Sequence, residues 1–230
     1  MLDDNGIALL ARRVLAACDA CEAGDGQPGR RWLGGIAGAP GSGKSTAASR
    51  LFEAVESLRP GVAAVCPMDG FHMAQDVLRQ QGLLARKGAP WTFDVDGFVA
   101  NLAAARDLAT TMRWPAYDRQ LHEPRFSELP RHRLHAATRL VIVEGNYLLL
   151  DELNWRDAAA MLDEAWWMDT PADVAAAWIV SRHMAGGRTR EAAMERYHVN
   201  DADNTRRLAN RARTPDVQLR WPAAVLAGRL

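Results

Sequence analysis

The sequence predicts a three-layer α/β/α fold with a parallel central sheet, and three observations lead to this prediction. Short apolar runs alternate with longer helical patterns along the 230 residues, as they do in βαβ units. Residues 140–143 (LVIV) are continuously apolar, which is typical of a strand buried on both faces. Acidic residues follow several apolar runs directly, at the strand ends where such sheets bind ligands.

The first half of the chain is predicted to contain four helices and two strands. The helices follow from apolar residues at helical spacing, and a break at Gly88-Ala89-Pro90 separates the third from the fourth. A loop at Gly24-Asp25-Gly26 precedes the first strand. The predicted helices cover residues 6–22, 42–58, 74–82 and 97–108, and the predicted strands cover residues 32–37 and 63–67.

The second half begins with a proline-punctuated segment, residues 114–130. The apolar runs that follow are of strand length, and the alanine-rich stretches between them are of helix length. Gly186-Gly187 separates the last two helices. The predicted strands cover residues 139–143, 165–168 and 216–221, and the predicted helices cover residues 171–183 and 190–211.

Composition limits both the architecture and the partners. An apolar content of 48% in 230 residues is enough for one core, so a single domain over residues 1–230 is predicted. The formal net charge of zero gives no indication of nucleic-acid or membrane-surface binding. The sequence shows no signal peptide and no apolar run of membrane-spanning length. Three cysteines do not form a disulfide framework, and a cytoplasmic location without membrane insertion is expected.

A phosphate-binding loop is the most specific motif in the chain. Residues 38–45 match G-x-x-x-x-G-K-[ST] between a predicted strand and a predicted helix, which is the context that this motif needs. The backbone N–H groups would surround the phosphates of ATP at the helix N-terminus. Lys44 would reach the β- and γ-phosphates, and Ser45 would bind Mg²⁺. The predicted ATP-binding residues are Gly38, Ala39, Pro40, Gly41, Ser42, Gly43, Lys44, Ser45 and Thr46.

Two carboxylates at strand ends are candidates for the chemistry. Glu144 follows the apolar run at residues 140–143 and fits a ligand of Mg²⁺ or of its water; a carboxylate capping the next turn is the alternative. Asp69 follows the second strand and fits a general base that accepts a hydroxyl proton during phosphoryl transfer. A turn-forming role before Gly70 is the alternative for Asp69.

Arginines near Gly186-Gly187 are the third component of the predicted site. Arg182, Arg188 and Arg190 flank these glycines, which provide hinge freedom for a short mobile lid over residues 182–191. Guanidinium groups suit the oxygens of a transferring phosphoryl group. A solvated helix–turn–helix in an arginine-rich protein is the alternative, and whether Arg190 serves the lid stays open.

The chain resembles the P-loop kinases that include uridine kinase, phosphoribulokinase and bacterial pantothenate kinase. The resemblance covers residues 32–211 and is nearest to small bacterial members described as nucleoside/nucleotide kinase-like or fructose-transport-associated kinases. Asp69-Gly70-Phe71 matches the D-x-F motif of the family, Phe93-Asp94 matches F-D, and residues 117–122 match Y-D-x-x-x-H. Glu144-Gly145 matches the E-G after the buried strand, while Arg182 and Arg188 match two lid arginines.

The resemblance implies an ATP-dependent kinase that phosphorylates a hydroxyl of a small metabolite. Lys44, Asp69, Arg182 and Arg188 would be catalytic, and Ser45 and Glu144 would bind the metal. An acceptor-binding segment is expected over residues 69–130. A pyrimidine nucleoside acceptor is less well supported, because His72 replaces an aromatic residue that often follows D-x-F. The implied acceptor-binding residues are His72, Phe93, Asp94, Tyr117, Arg119 and His122.

Two alternatives to a kinase are less well supported by the sequence. A P-loop ATPase acting as a switch or transport subunit would carry signatures such as L-S-G-G-Q or N-K-x-D, which the sequence lacks. A catalytically inactive nucleotide sensor is disfavoured by the presence of Lys44, Asp69 and Glu144 together. The identity of the acceptor, the oligomeric state (a homodimer included) and the roles of Asn200, Asp201 and Asn204 stay open. Asp118 and Arg119 are also candidates for an ion pair that orders their segment.

Overall fold

The computed structural model describes residues 1–23, 29–152 and 154–228, so the predicted loop at Gly24-Asp25-Gly26 lies outside the described residues. The strands are β1 (Trp32–Ala37), β2 (Ala63–Pro67), β3 (Met112–Arg113), β4 (Pro115–Asp118), β5 (Glu123–Phe126), β6 (Arg133–Leu134), β7 (Leu140–Gly145), β8 (Glu164–Met168) and β9 (Val217–Leu219). The helices are α1 (Asp4–Ala23), α2 (Lys44–Leu58), α3 (Gln75–Gln80), α4 (Val95–Arg106), α5 (Trp155–Ala160), α6 (Ala172–Ala185), α7 (Arg190–Arg196), α8 (Ala202–Arg211) and α9 (Ala223–Ala227).

A five-stranded sheet in the order β2-β7-β1-β8-β9 forms the centre of the molecule. All four strand pairs are parallel, which confirms the predicted parallel sheet. In the register of β1, Ile36 lies opposite Glu144 on one side and Trp166 on the other. The carboxyl ends of the strands therefore meet at one edge of the sheet, where the phosphate-loop motif and Glu144 are found.

Helices cover both faces of the sheet, and successive strand residues alternate between the two cores. Trp32 and Ile36 of β1 pack with residues of α1 and α2, while Leu33 and Ala37 pack with residues of α4 and α5. Every residue of β1, β2 and β7 is buried, as expected for parallel strands between two helical layers. The chain thus forms the three predicted layers.

Several element boundaries differ from the sequence prediction for local reasons. Helix α4 begins at Val95 rather than residue 97, because the Asp94 side chain caps it by accepting a hydrogen bond from the Gly97 N–H at 2.9 Å. The helix predicted over residues 190–211 contains a π-helical turn at Tyr197–Asp201 between α7 and α8. The proline-punctuated segment contains the antiparallel pair β4–β5.

Two kinds of feature are missing from the residues that the structure describes. Among these residues, no helix is both long enough and apolar enough to cross a membrane. The same residues contain no cluster of three or more histidine, cysteine or acidic side chains positioned to hold a metal ion.

Candidate active site

A cleft of about 660 Å³ opens at the carboxyl edge of the sheet. It joins the phosphate-loop motif, the end of β2, hairpin β4–β5 and the α6–α8 region. All four predicted catalytic residues line it, as do both predicted metal ligands. The lining side chains discussed below are Lys44, Ser45, Asp69, His72, Lys87, Tyr117, Arg119, His122, Glu144, Arg182, His183, Arg188, Arg196, Asn200, Asp201 and Asn204.

The motif forms a tight loop between β1 and α2. Gly41 and Gly43 have φ angles of 76° and 86°, in the left-handed region that glycine adopts without strain. A side chain at Gly41 would also come within 2.4 Å of the Ala175 carbonyl oxygen, and one at Gly43 within 2.6 Å of Trp221 Nε1. The glycine spacing of the motif is therefore required by both the backbone conformation and the close approach of distant segments.

Lys44 begins α2 and is only 7% exposed. Its Nζ donates to the Ala39 carbonyl oxygen at 2.8 Å and lies 3.4 Å from Ser42 Oγ. Burial lowers the pKa of Lys44, while the negative charge of Glu144 opposes that shift. The ammonium group is thus fixed against the backbone of the loop.

The loop is also held by residues whose role the sequence does not reveal. Thr170 Oγ1 and Trp221 Nε1 both donate to the Ser42 carbonyl oxygen, at 2.9 and 3.1 Å respectively. Thr170 follows β8 and Trp221 follows β9. No local pattern links these residues to the motif, because the contacts depend on the order of strands in the sheet.

Glu144 and Ser45 form the candidate metal site. Ser45 Oγ donates to Glu144 Oε1 at 3.0 Å, and Glu144 is 7% exposed. Burial and the neighbouring charge of Asp69 raise the pKa of Glu144. A buried carboxylate beside a hydroxyl and a second carboxylate gains from a nearby divalent cation, and oxygen donors suit Mg²⁺. These residues therefore fit the implied metal.

Asp69 lies in a short 3₁₀ turn, Met68–Phe71, directly after β2. Its backbone carbonyl oxygen lies 2.8 Å from His72 Nδ1, which must carry the proton, because a carbonyl only accepts. Desolvation lowers the pKa of His72, so the ring is neutral near pH 7 with Nε2 free to accept a hydrogen bond. Asp69 and His72 both line the cleft beside Lys44.

The His72 ring is packed between two aromatic residues. Its centroid lies 4.1 Å from that of Phe93 and 4.6 Å from that of Tyr117. Tyr117 lines the cleft, and desolvation raises its pKa to about 12. Its hydroxyl is therefore protonated at neutral pH and is a hydrogen-bond donor.

Phe93 and Asp94 are placed differently from the other predicted acceptor residues. Phe93 is 3% exposed and packs against Tyr147 and Trp155 as well as His72. Asp94 is an exposed helix cap. Neither is among the described residues that line the cleft. Phe93 reaches the cleft only through His72, so the direct acceptor contacts predicted for this pair do not match their positions.

The predicted lid residues come from the end of α6 and the loop that follows it. Arg182 lies in the last turn of α6 and Arg188 in the loop before α7, and both line the cleft. Desolvation, followed by the positive charge of Arg119, lowers the pKa of Arg182. Arg190 is the first residue of α7 and is not among the described residues along the cleft wall.

The segment from α7 to α8 contacts the loop at residues 85–88. Arg196 donates to the carbonyl oxygens of Ala85 and Lys87, both at 2.8 Å. Asn200 Nδ2 donates to the Lys87 carbonyl oxygen at 2.8 Å, and Asn204 Nδ2 to that of Gly88 at 3.2 Å. These contacts give Asn200 and Asn204 a positioning role that the sequence left open.

Other residues of the cleft wall make contacts that the sequence did not indicate. Asp201 Oδ2 lies 3.1 Å from His183 Nε2 of α6. The alternative of an Asp118–Arg119 ion pair is not found among the described residues: Asp118 accepts hydrogen bonds from the Gln120 and Leu121 N–H groups and lies 4.0 Å from Arg125 instead. Lys87 and Arg196 were not predicted as cleft residues, although the rarity of lysine in this chain was a usable signal for Lys87.

Comparisons with known proteins agree with this geometry. The model of the phosphoribulokinase / uridine kinase family matches residues 33–218. "Uncharacterized protein YggC" of Escherichia coli K12 is 37% identical over 188 residues, covering 81% of this chain and 76% of the relative. "Putative uridine kinase C227.14" of Schizosaccharomyces pombe is 33% identical over 198 residues, covering 83% of each chain.

A solved structure supports the same assignment. The "putative fructose transport system kinase" from Silicibacter sp. TM1040 superposes with a TM-score of 0.79 at 36% identity, covering 94% of this chain and 98% of that one. The fold, the phosphate-loop motif and these similarities identify a P-loop kinase fold and a phosphotransferase family. The chain belongs to the phosphoribulokinase / uridine kinase family.

Proposed function

We propose that the protein transfers the γ-phosphoryl group of ATP to a hydroxyl group of a small metabolite. The observation that carries the proposal is the convergence of Lys44, Asp69 and Arg182 on one cleft. These residues come from α2, the turn after β2 and α6. Such a convergence suits phosphoryl transfer, in which the protein mainly positions the reactants and neutralises charge.

The loop from Gly38 to Thr46 would hold the triphosphate. Its backbone N–H groups lie at the N-terminus of α2, where the helix dipole favours an anion. Lys44 would contact the β- and γ-phosphates, while Ser45 and Glu144 would hold Mg²⁺. When bound, Mg²⁺ neutralises part of the charge that develops on the phosphate oxygens. The raised pKa of the buried Glu144 carboxylate supports this assignment, because a cation would stabilise its charged form.

Asp69 would act as the general base. As the acceptor oxygen forms its bond to the γ-phosphorus, the bond from that phosphorus to the β–γ bridging oxygen breaks, and ADP leaves. The hydroxyl proton passes to the Asp69 carboxylate. The position of Asp69 in the cleft beside Lys44 supports this role.

Arg182 and Arg188 would stabilise the transferring group from the lid side. Guanidinium groups there neutralise the equatorial oxygens, and closure of the lid excludes water that would otherwise compete with the acceptor. The lid glycine Gly187 has a φ of 92°, and a Cβ placed on it would meet nothing within 4 Å. Those open surroundings support a hinge at this point.

The acceptor would bind between hairpin β4–β5 and the α7–α8 segment. His72, Tyr117, Arg119 and His122 line this part of the cleft and would contact it directly. Phe93 would act indirectly by fixing the His72 ring, and Asp94 by fixing the start of α4.

An acceptor screen tests the proposal. Release of ADP from Mg-ATP would be measured with nucleosides, sugars, hydroxy acids and pantothenate, each against a reaction without acceptor. A kinase should show acceptor-dependent ADP release together with a phosphorylated product by mass spectrometry. Hydrolysis that is equally fast with and without every acceptor would overturn the proposal in favour of a switch or transport-associated ATPase.

A further inference from the structure

The part of the cleft beyond the phosphate loop carries an excess of positive charge. The cationic side chains that line the whole cleft are Lys44, Lys87, Arg119, Arg182, Arg188 and Arg196, whereas the carboxylates are Asp69, Glu144 and Asp201. Lys44, Arg182 and Arg188 are assigned to the triphosphate. Lys87, Arg119 and Arg196, here called the acceptor-side cations, are not assigned to the triphosphate.

Arg119 is the acceptor-side cation with the fewest contacts. Within the described part of the chain, its guanidinium group makes no hydrogen bond and no ion pair. It nevertheless lies close enough to Arg182 for its positive charge to lower the pKa of that residue. A guanidinium group on the cleft wall that makes no hydrogen bond within the described residues can pair with a bound anion, and arginine binds carboxylates and phosphates with good geometry.

Lys87 and Arg196 are held in place by backbone groups rather than by carboxylates. Lys87 Nζ donates to the His122 carbonyl oxygen at 2.7 Å and lies 5.3 Å from the centroid of the Tyr117 ring. Arg196 donates to two carbonyl oxygens of the loop at residues 85–88. Carbonyl oxygens position these cations, and neither forms an ion pair within the described residues, although the charges of Glu123 and Asp201 act on Lys87 and Arg196 respectively.

Asn200 indicates, independently of the charges, that the ligand carries a hydrogen-bond donor. The residue is only 2% exposed, and it lines the cleft. Because Nδ2 donates to the Lys87 carbonyl oxygen, the amide orientation is fixed. Oδ1 has no hydrogen-bond partner among the described residues. A buried acceptor without a donor is costly, and a ligand hydroxyl or N–H would supply the donor.

We propose that the phosphoryl acceptor is a hydroxylated anion. Its carboxylate or phosphate pairs with Arg119 in the field of Lys87 and Arg196, one hydroxyl faces Asp69, and a further donor binds Asn200 Oδ1. This inference rests on the proposed function for the reaction, but the charge preference of the site does not depend on transfer. A neutral acceptor would leave the Arg119 guanidinium group without an anionic partner.

The test compares anionic and neutral compounds of the same skeleton. Calorimetry on the protein saturated with Mg-ADP would use D-glycerate against glycerol and pantothenate against pantothenol for carboxylates, and ribose 5-phosphate against ribose for phosphates. At least one anionic compound should bind roughly 10–100-fold more tightly than its neutral partner, as expected for a charged hydrogen bond. The pair that shows the preference identifies the anionic group.

Two variants test whether Arg119 causes the preference for anionic over neutral compounds. Arg119→Gln should reduce the preference to below about threefold while leaving the affinity for Mg-ADP unchanged. Arg125→Gln removes the same charge from the same hairpin, outside the described cleft wall, and should keep the preference. Arg119→Gln is also expected to raise KM for an anionic acceptor much more than it lowers kcat.

Three results would overturn the inference: no anionic compound binding more tightly than its neutral partner, a preference that survives Arg119→Gln, or a loss confined to Mg-ATP affinity. Failure of the kinase proposal looks different. In that case an Arg119-dependent anion preference would persist in calorimetry, while ADP release would remain independent of every acceptor.

Discussion

The phosphate end and the acceptor end of the cleft are built in contrasting ways. At the phosphate end, one continuous stretch of chain supplies the loop, and Lys44 and Glu144 are almost fully buried. At the acceptor end, hairpin β4–β5, the loop at residues 85–88 and the α7–α8 segment each contribute a few side chains. The first arrangement suits a constant ligand such as a triphosphate, and the second leaves room for the acceptor to differ between relatives.

Asp69→Asn should give the largest difference between an effect at the acceptor end, on turnover, and an effect at the phosphate end, on nucleotide binding. The amide cannot take the acceptor proton, so kcat should fall on the order of 10²–10⁴-fold, while binding of Mg-ADP should remain unchanged. A coupled ADP-release assay and calorimetry measure the two effects. Asp76→Asn, an exposed change on α3, is the control and should behave like the wild type. If Asp69→Asn retained its turnover, Asp69 would not be the general base.

Lys44→Met should damage the phosphate end alone. Loss of the ammonium group should lower turnover about 10²–10³-fold, as for other preorganised charge-stabilising groups, and weaken triphosphate binding. Because the charge of Lys44 stabilises the buried Glu144 carboxylate, its removal should also lower the free energy of unfolding of the nucleotide-free protein moderately. A large loss of stability in urea unfolding would show that Lys44 is needed mainly for folding.

Acid should destabilise the protein through His132, which lies in the short turn before β6. His132 is buried, its Nδ1 has no partner among the described residues, and desolvation lowers its pKa to about 4. The unfolded chain therefore binds more protons between the ordinary pKa of 6.5 and about 4. Stability is fully present above this window and falls as the pH falls through it, by ~3 kcal/mol in total.

Urea unfolding from pH 7 to pH 4.5 tests this expectation with His132→Gln as the comparison. The variant lacks the titrating ring and should show a correspondingly shallower loss of stability with acid. Parallel pH profiles for the two proteins would assign the acid sensitivity to other groups.

Gly70→Ala should affect the acceptor end and leave the phosphate end intact. A side chain at this position would lie 2.1 Å from the Pro115 carbonyl oxygen, so hairpin β4–β5 must shift. Overpacking of this kind costs roughly 1–3 kcal/mol. Acceptor KM should rise, whereas the affinity for Mg-ADP should stay the same. Equal losses of acceptor binding and of Mg-ADP affinity would mean that the hairpin and the phosphate loop are mechanically coupled.

The same contrast explains how much of the site could be predicted from the sequence. The loop around Lys44 is encoded by glycine spacing within a few residues, and the parallel strands by continuous apolar runs. Asn200 could not be placed, because its contact with Lys87 spans 113 positions and depends on the π-helical turn at Tyr197–Asp201. The motif match at Phe93-Asp94 also did not predict the position of Phe93, because Phe93 packs in the core beneath His72.

The hydrogen bond from Trp221 to Ser42 joins residues 179 positions apart. The loop proposed to hold the triphosphate is therefore completed by a segment that leaves the ribosome long after the motif itself. Nascent chains that already expose the motif but have not reached residue 221 lack this support. Nucleotide binding should consequently mature late in synthesis, and shortened chains that stop before β9 should bind Mg-ADP poorly despite an intact motif.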